Sequence, residues 1–204
     1  RRHVSLSRAV ATEACRRAAN GAELADRVRR ETGIVLDIIS AAEEAKLAVL
    51  GCHNLMEPGD GPALIFDIGG GSTELMHVDV SDHDVEIHDW ISVPWGVVSL
   101  TEHAPCGEDS LAGRQANYAR MREVTRTAFA DFAGRAEQFA GQSLRLLGTS
   151  GTVTTLASVF LELPRYDRRA VDGLVVPADA MRDISRPVFG FLIFTASIHG
   201  RCGV

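Results

Sequence analysis

The 204-residue chain has no excess of basic charge: 21 lysines and arginines stand against 27 aspartates and glutamates, a net charge of −6 with the two signs intermixed. A face that grips duplex nucleic acid needs clustered lysine and arginine opposite the phosphates, so nucleic-acid binding is not expected. Long apolar runs are missing too. The longest lies near Val188 to Ile198, well short of the ~20 residues that span a bilayer. Cysteine is sparse: Cys15, Cys52, Cys106 and Cys202 lie far apart, with neither the C-x-x-C spacing of zinc and redox sites nor the density of a secreted disulfide scaffold. They read as free thiols in a reducing compartment. With no secretory signal at its start, the chain is expected to be cytoplasmic and to have no membrane segment. No fixed-period repeat and no low-complexity tract is found. What is present, 46% hydrophobic and 24% charged residues, suits one globular domain or two small ones sharing a cleft.

The pattern along the chain is mixed α/β. A short strand over Ser7 to Ala11 precedes a helical run through Cys15 and Arg17 and a turn at Asn20-Gly21. A helix over Ala22 to Glu31 should end at Gly33 as its C-terminal cap. The β-branched run Ile34 to Ile39 reads as a buried strand. Ser40, three residues before Glu43, matches a capping box that opens a helix through Glu44, Lys46 and Leu50. The strongest break is Glu57-Pro58-Gly59-Asp60-Gly61-Pro62, placed here as a domain boundary between 1–57 and 62–204. Beyond it, strands over Ala63 to Ile68, Glu74 to Val80 and Val85 to Val93 form a meander, with a turn at Ser81 to Asp84. A long helix over Ser110 to Phe139, a strand over Leu144 to Leu147, a turn at Gly148 to Thr152 and a helix over Val153 to Leu163 follow.

The sharpest chemical signal is Asp67-Ile68-Gly69-Gly70-Gly71-Ser72-Thr73-Glu74. Three glycines allow backbone N–H groups to approach phosphate oxygens closely, and Ser72 and Thr73 add hydroxyls. A Walker loop or a dinucleotide fold would continue into a helix, and a Walker loop also needs a lysine. Here a strand follows, so the glycines form a hairpin tip. Asp67 and Glu74 flank it as two carboxylates able to hold Mg²⁺ or orient water. Gly148-Thr149-Ser150-Gly151-Thr152 is a second cradle candidate, because it leads into a helix whose N-terminus attracts anions. Each motif alone is also compatible with a purely structural turn. Glu43 and Glu44 alone read as a solvated helix start, and Arg16 and Arg17 as surface charges, although either arginine can clamp a phosphate. The seven histidines have no metal-ligand spacing. Ser150 is not in a Gly-x-Ser-x-Gly elbow, which argues against a serine hydrolase.

Taken in order, Val10 to Asn20, Ile39-Ser40-Ala41-Ala42-Glu43-Glu44-Ala45, Asp67 to Leu75, Val93 to Leu100 and Gly148 to Thr152 resemble the exopolyphosphatase and guanosine pentaphosphate phosphohydrolase family over about residues 8 to 180. The Ser-x-x-Glu-Glu-Ala block ahead of the glycines is the more specific part. The resemblance implies an α/β, actin-like ATPase (ribonuclease H-like) fold with two domains and an active cleft between them. It further implies Mg²⁺-assisted attack of water on a terminal phosphate of inorganic polyphosphate or of guanosine penta- or tetraphosphate. Residue by residue, it implies that Glu44 and Glu74 are catalytic and that Asp67 and Glu74 hold the metal. Arg16, Gly69, Gly70, Gly71, Ser72, Thr73, Ser150, Gly151 and Thr152 would bind substrate phosphate. Other readings are an actin-like kinase for sugars or acetate and a non-catalytic alarmone sensor, and a homodimer is compatible with all of them. The family's first phosphate loop, of the Asp-x-Gly-Ser-Asn-Ser kind, has no counterpart here, and the chain starts at Arg1. It therefore reads as truncated at the N-terminus. Arg186 to Val204 does not resemble the family's continuation.

Overall fold

Alternation in Ala63, Ile65 and Met76, Val78 puts four fully buried side chains on one face of a two-stranded ribbon, as a period of two requires. The computed structural model describes residues 6–56, 61–80, 85–104, 110–139, 144–181 and 183–184. The ribbon is β3 (Gly61–Ile68) and β4 (Thr73–Val80), paired antiparallel, and β5 (Val85–Val93) continues it beyond β4. Helix α3 (Ala41–Cys52) lays Ala45, Val49 and Cys52 on the buried face and shares a core with the four strand residues. A buried side chain the size of Ile65 or Val49 contributes about 1.5–3 kcal/mol. Ser40 caps α3, its Oγ accepting from Glu43 N at 3.2 Å, so the expected capping residue is in place.

A fourth strand completes the sheet. β6 (Arg145–Thr149) pairs parallel with β3, giving the order β5-β4-β3-β6. Parallel pairing needs a long crossover, supplied here by α4 (Val97–His103) and α5 (Leu111–Ala136). The meander expected from sequence is thus part of a mixed sheet. Its register sets Asp67 beside Thr149, so the two glycine motifs share one end. Helices α6 (Ser150–Phe160) and α7 (Arg168–Val171) follow.

Ahead of α3, β1 (Ala9–Ala11) and β2 (Leu36–Ile38) pair parallel, with α1 (Glu13–Arg17) and α2 (Gly21–Thr32) between them. Gly33 ends α2 in the left-handed region at φ 76°, as its capping role demands. Two expectations shift. The strand over Ile34 to Ile39 shrinks to β2, and Ile34 and Val35 are exposed, because among the described residues β2 pairs with β1 alone. Helix α6 starts at Ser150 rather than Val153, since β6 runs into it directly. The five-residue turn expected at 148–152 is therefore a strand-to-helix junction. Residues 57–60 of the expected boundary, the turn at 81–84, Cys106, Cys202 and the tail from Arg186 lie outside the described residues. Among the described residues, no helix is long and apolar enough to cross a membrane.

Candidate active site

The triglycine tip is built by its carbonyls. Gly69 O accepts from Val97 N at 3.0 Å, Gly70 O from Val98 N at 2.9 Å and Ser99 N at 3.1 Å, and Gly71 O from Ser99 Oγ at 3.2 Å. These bonds satisfy the orphan amides that open α4. Every peptide here is trans, so each N–H points away from the carbonyl in its own plane. With the carbonyls of Gly69, Gly70 and Gly71 turned to α4, the amides of Gly70, Gly71 and Ser72 face the other way. Gly69 N closes the turn on Ser72 O at 3.0 Å. The amides of Gly70 and Gly71 have no partner among the described residues.

Hydroxyls that the sequence suggested for phosphate hold the frame instead. Thr73 Oγ1 donates to Trp95 O at 2.7 Å, and the Ser72 hydroxyl is buried beside Glu74. From the second motif, Ser150 Oγ and Thr152 Oγ1 both donate to Ile68 O, at 2.8 and 2.9 Å. The start of α6 is thereby pinned to the base of the tip. Ser150 adopts φ 77°, a left-handed conformation that costs a non-glycine residue about 1–3 kcal/mol and clusters at functional sites. No side chain caps α6 at Thr149, which leaves first-turn amides open to an anion.

Asp67 and Glu74 are cross-strand partners, and Glu74 pairs in turn with Ser92. All three continue the rows that carry the apolar core, so the core face ends in carboxylates at the glycine end of the sheet. Ser92 Oγ donates to Glu74 Oε1 at 2.7 Å, and Glu74 is only 2% exposed. Burial pushes the Glu74 carboxyl above the ordinary range, the Ser92 and Ser72 hydrogen bonds oppose this, and the nearby charges of Glu44 and Asp67 add to it. Burial likewise raises Asp67, with the nearby Ser150 hydroxyl opposing the shift. It also raises the Cys52 thiol to about 11, with Asp67 contributing. Glu44, in the first turn of α3, lies near enough for its charge to act on Glu74 and is held by Arg16: Nη1 donates to Glu44 Oε2 at 2.9 Å and to Ile39 O at 2.9 Å. Arg16 Nη2 and Nε reach Glu13 Oε2 at 2.9 and 3.3 Å. Burial lowers Arg16, but the hydrogen bonds and charges of Glu44 and Glu13 together raise it above its ordinary value.

A buried acid with a raised folded pKa contributes stability that is fully present below its unfolded pKa and lost as pH rises through the folded one. For Glu74 that loss starts near the ordinary value of 4.5 and extends upward. Glu74→Gln is therefore expected to flatten the fall in melting temperature between pH 5 and pH 7.5, which thermal unfolding at the two pH values measures. An unchanged slope would show that Glu74 carries no such penalty.

No group of three His, Cys, Asp or Glu side chains close enough to hold a metal exists among the described residues. Mg²⁺ is commonly held by one or two carboxylates, with waters and substrate phosphates completing the octahedron. The desolvated Asp67–Glu74 pair fits that lesser demand. An open cavity of about 450 Å³, lined by Glu13, Ala41, Trp90, Ile91, Ser92 and Pro94, adjoins the Glu74–Ser92 bond. Sequence reasoning missed Ser92, Gly96 and Glu13 as site members. Gly96 and Glu13 left a signal only by lying inside the Val93 to Leu100 and Val10 to Asn20 motifs, and Ser92 left none.

Fold and site together define an α/β chain in which two glycine-bearing strand ends meet beside buried carboxylates. The sequence pattern of the Ppx/GppA phosphatase family matches residues 3–171, and the chain belongs to that family. It is 28% identical to Exopolyphosphatase 1 of Mycobacterium bovis, over 94% of this chain and 60% of that protein. Exopolyphosphatase 1 of Mycobacterium leprae is 31% identical over 73% of this chain and 42% of its own length. Among solved structures, an exopolyphosphatase-like protein superposes with a TM-score of 0.72 at 28% identity, covering 91% of this chain and 57% of that one. The Aquifex aeolicus Ppx/GppA family member gives 0.65 at 28% identity, covering 90% and 55%. The chain thus spans about half the length of the relatives it matches.

Proposed function

We propose that the protein containing this chain releases the terminal phosphate of a linear phosphoanhydride, inorganic polyphosphate or guanosine pentaphosphate, by attack of water. The observation that carries this reading is the pinning of the start of α6 to the base of the glycine tip, with Ser150 Oγ and Thr152 Oγ1 both donating to Ile68 O. Two sets of amides beside carboxylates let a net-acidic protein hold a polyanion. Amides of Gly70, Gly71, Gly151 and Thr152 cradle the phosphate oxygens. Ser72, Thr73 and Ser150 serve that cradle by fixing its backbone. Glu44 accepts a proton from water as the water oxygen bonds to phosphorus, and the bridging P–O bond breaks with its electrons leaving on the shortened chain. Arg16 contributes its guanidinium to the phosphate. Asp67 and Glu74 are the residues that would hold Mg²⁺, which when bound supplies charge neutralisation at the phosphate oxygens.

Two assays test this reading. Phosphate release from polyphosphate and from guanosine pentaphosphate, without any added acceptor, should depend on Mg²⁺ and stop on chelation with EDTA. An absolute requirement for a sugar or acetate acceptor would instead indicate a kinase. Mg²⁺ at a hundred times its dissociation constant should stabilise the fold by about 2.7 kcal/mol, read as a rise in melting temperature. Asp67→Asn with Glu74→Gln should lose that rise. A rise that survives both changes places the metal elsewhere.

A further inference from the structure

We propose that Glu13 is a positioning residue that presents Arg16 to the phosphate, an assignment resting on the proposed phosphohydrolase reading. Three observations converge on it. Glu13 Oε2 takes both Nη2 and Nε of Arg16, at 2.9 and 3.3 Å, which fixes the plane of the guanidinium. The side chain is only 16% exposed, while Oε1 lies 3.9 Å from Arg17 Nε. Its stem rests on the glycine tip, for a Cβ built on Gly71 would stand 3.3 Å from Glu13 Cγ. Glu13 also lines the cavity next to Ser92. One side chain thus ties helix α1 to the cradle and dictates which edge of Arg16 is free.

The consequence concerns how Arg16 is shared. Glu13 grips the Nε/Nη2 edge, and Nη1 is left for Glu44 and Ile39 O. A phosphate arriving at the tip competes for Nη1, and the guanidinium need not reorient because Glu13 keeps hold of the far edge. Arg16 passes from Glu44 to phosphate, and Glu44 becomes available to the attacking water. A rigid, preoriented fork gives up little freedom on binding an anion.

The sign of the effect separates this role from simple electrostatics. Removing an acid beside a polyanion site strengthens anion binding if charge alone matters. Loss of positioning weakens it. With the full chain and tripolyphosphate as probe, calorimetric titration at fixed ionic strength is expected to give a dissociation constant at least fivefold higher for Glu13→Ala than for the parent. Glu13→Gln keeps an amide oxygen for the guanidinium and should stay within twofold of the parent or bind more tightly. In an Arg16→Lys background, where the planar fork is gone, Glu13→Ala should have no weakening effect. Equal or tighter binding by Glu13→Ala, or equal weakening by Glu13→Gln, overturns the assignment. Failure of the parent to bind tripolyphosphate overturns the phosphohydrolase reading and this assignment with it. A parent that binds and hydrolyses while Glu13→Ala is unaffected overturns the assignment alone.

Discussion

Glu44→Gln is expected to lower phosphate release by about 10²–10⁴-fold, the usual contribution of a general base, while leaving the affinity for polyphosphate within about twofold. The expectation rests on what glutamine keeps. Its amide oxygen can still accept from Arg16 Nη1, now 2.9 Å from Glu44 Oε2, so the guanidinium stays in place. Only the capacity to take a proton is lost. Glu44→Ala removes the hydrogen bond as well, so its effects on binding and on turnover should separate less cleanly. Steady-state phosphate release paired with calorimetric binding gives the two quantities independently. Binding retained by a parent that never turned over would favour a sensor, and a turnover loss under tenfold would remove Glu44 as the base.

Gly96→Ala is the second large effect, though Gly96 lies outside the glycine motif. A Cβ at Gly96 would stand 2.4 Å from Gly69 O and Gly70 C and 2.5 Å from Gly70 O. All three are backbone atoms, so no side chain can turn aside and the tip must move. Overpacking of this kind costs about 1–3 kcal/mol, and ångström-scale misplacement of a positioning element can cost about 10²-fold in rate. Denaturant unfolding and phosphate release should show both losses together. Gly70→Ala is the contrast: its Cβ would meet Val98 Cγ2 at 3.5 Å, an ordinary contact, and its stability change should stay near 0.5 kcal/mol, as at exposed positions generally. Were Gly70→Ala the more damaging of the two for stability, the packing of α4 on the tip would be wrongly understood.

Local chemistry was legible in the sequence where a single residue type dictates the backbone. Ser40 as a helix cap, Gly33 as a left-handed terminus and the hairpin turn at Gly69 to Gly71 follow from stereochemistry and from the period of two on either side. Long-range placement was not. Nothing in Leu144 to Leu147 says that its strand lies parallel to β3 rather than beside β5, yet that choice brings Ser150 to Ile68. Ser92 looks like any polar position of a half-buried strand, and only the register with Glu74 makes it a carboxylate partner. By type the hydroxyls of Ser72 and Thr73 suit phosphate, whereas Ser150 and Thr152 enter the site through the helix N-terminus and the family resemblance. Folding turns the hydroxyls of Thr73, Ser150 and Thr152 on carbonyls, because buried hydroxyls need partners. Arg16 and Glu44 were legible as types and through the family resemblance, but their mutual hydrogen bond requires α1 and α3 to meet across 28 residues of sequence.

Backbone amide NMR during a titration with tripolyphosphate and Mg²⁺ tests the central arrangement most directly. The amide signals of Gly70 and Gly71 should move together with those of Gly151 and Thr152, at one shared affinity, because one phosphate group touches both turns. Movement of one set without the other, or no movement in either, would contradict a common cradle at this end of the sheet.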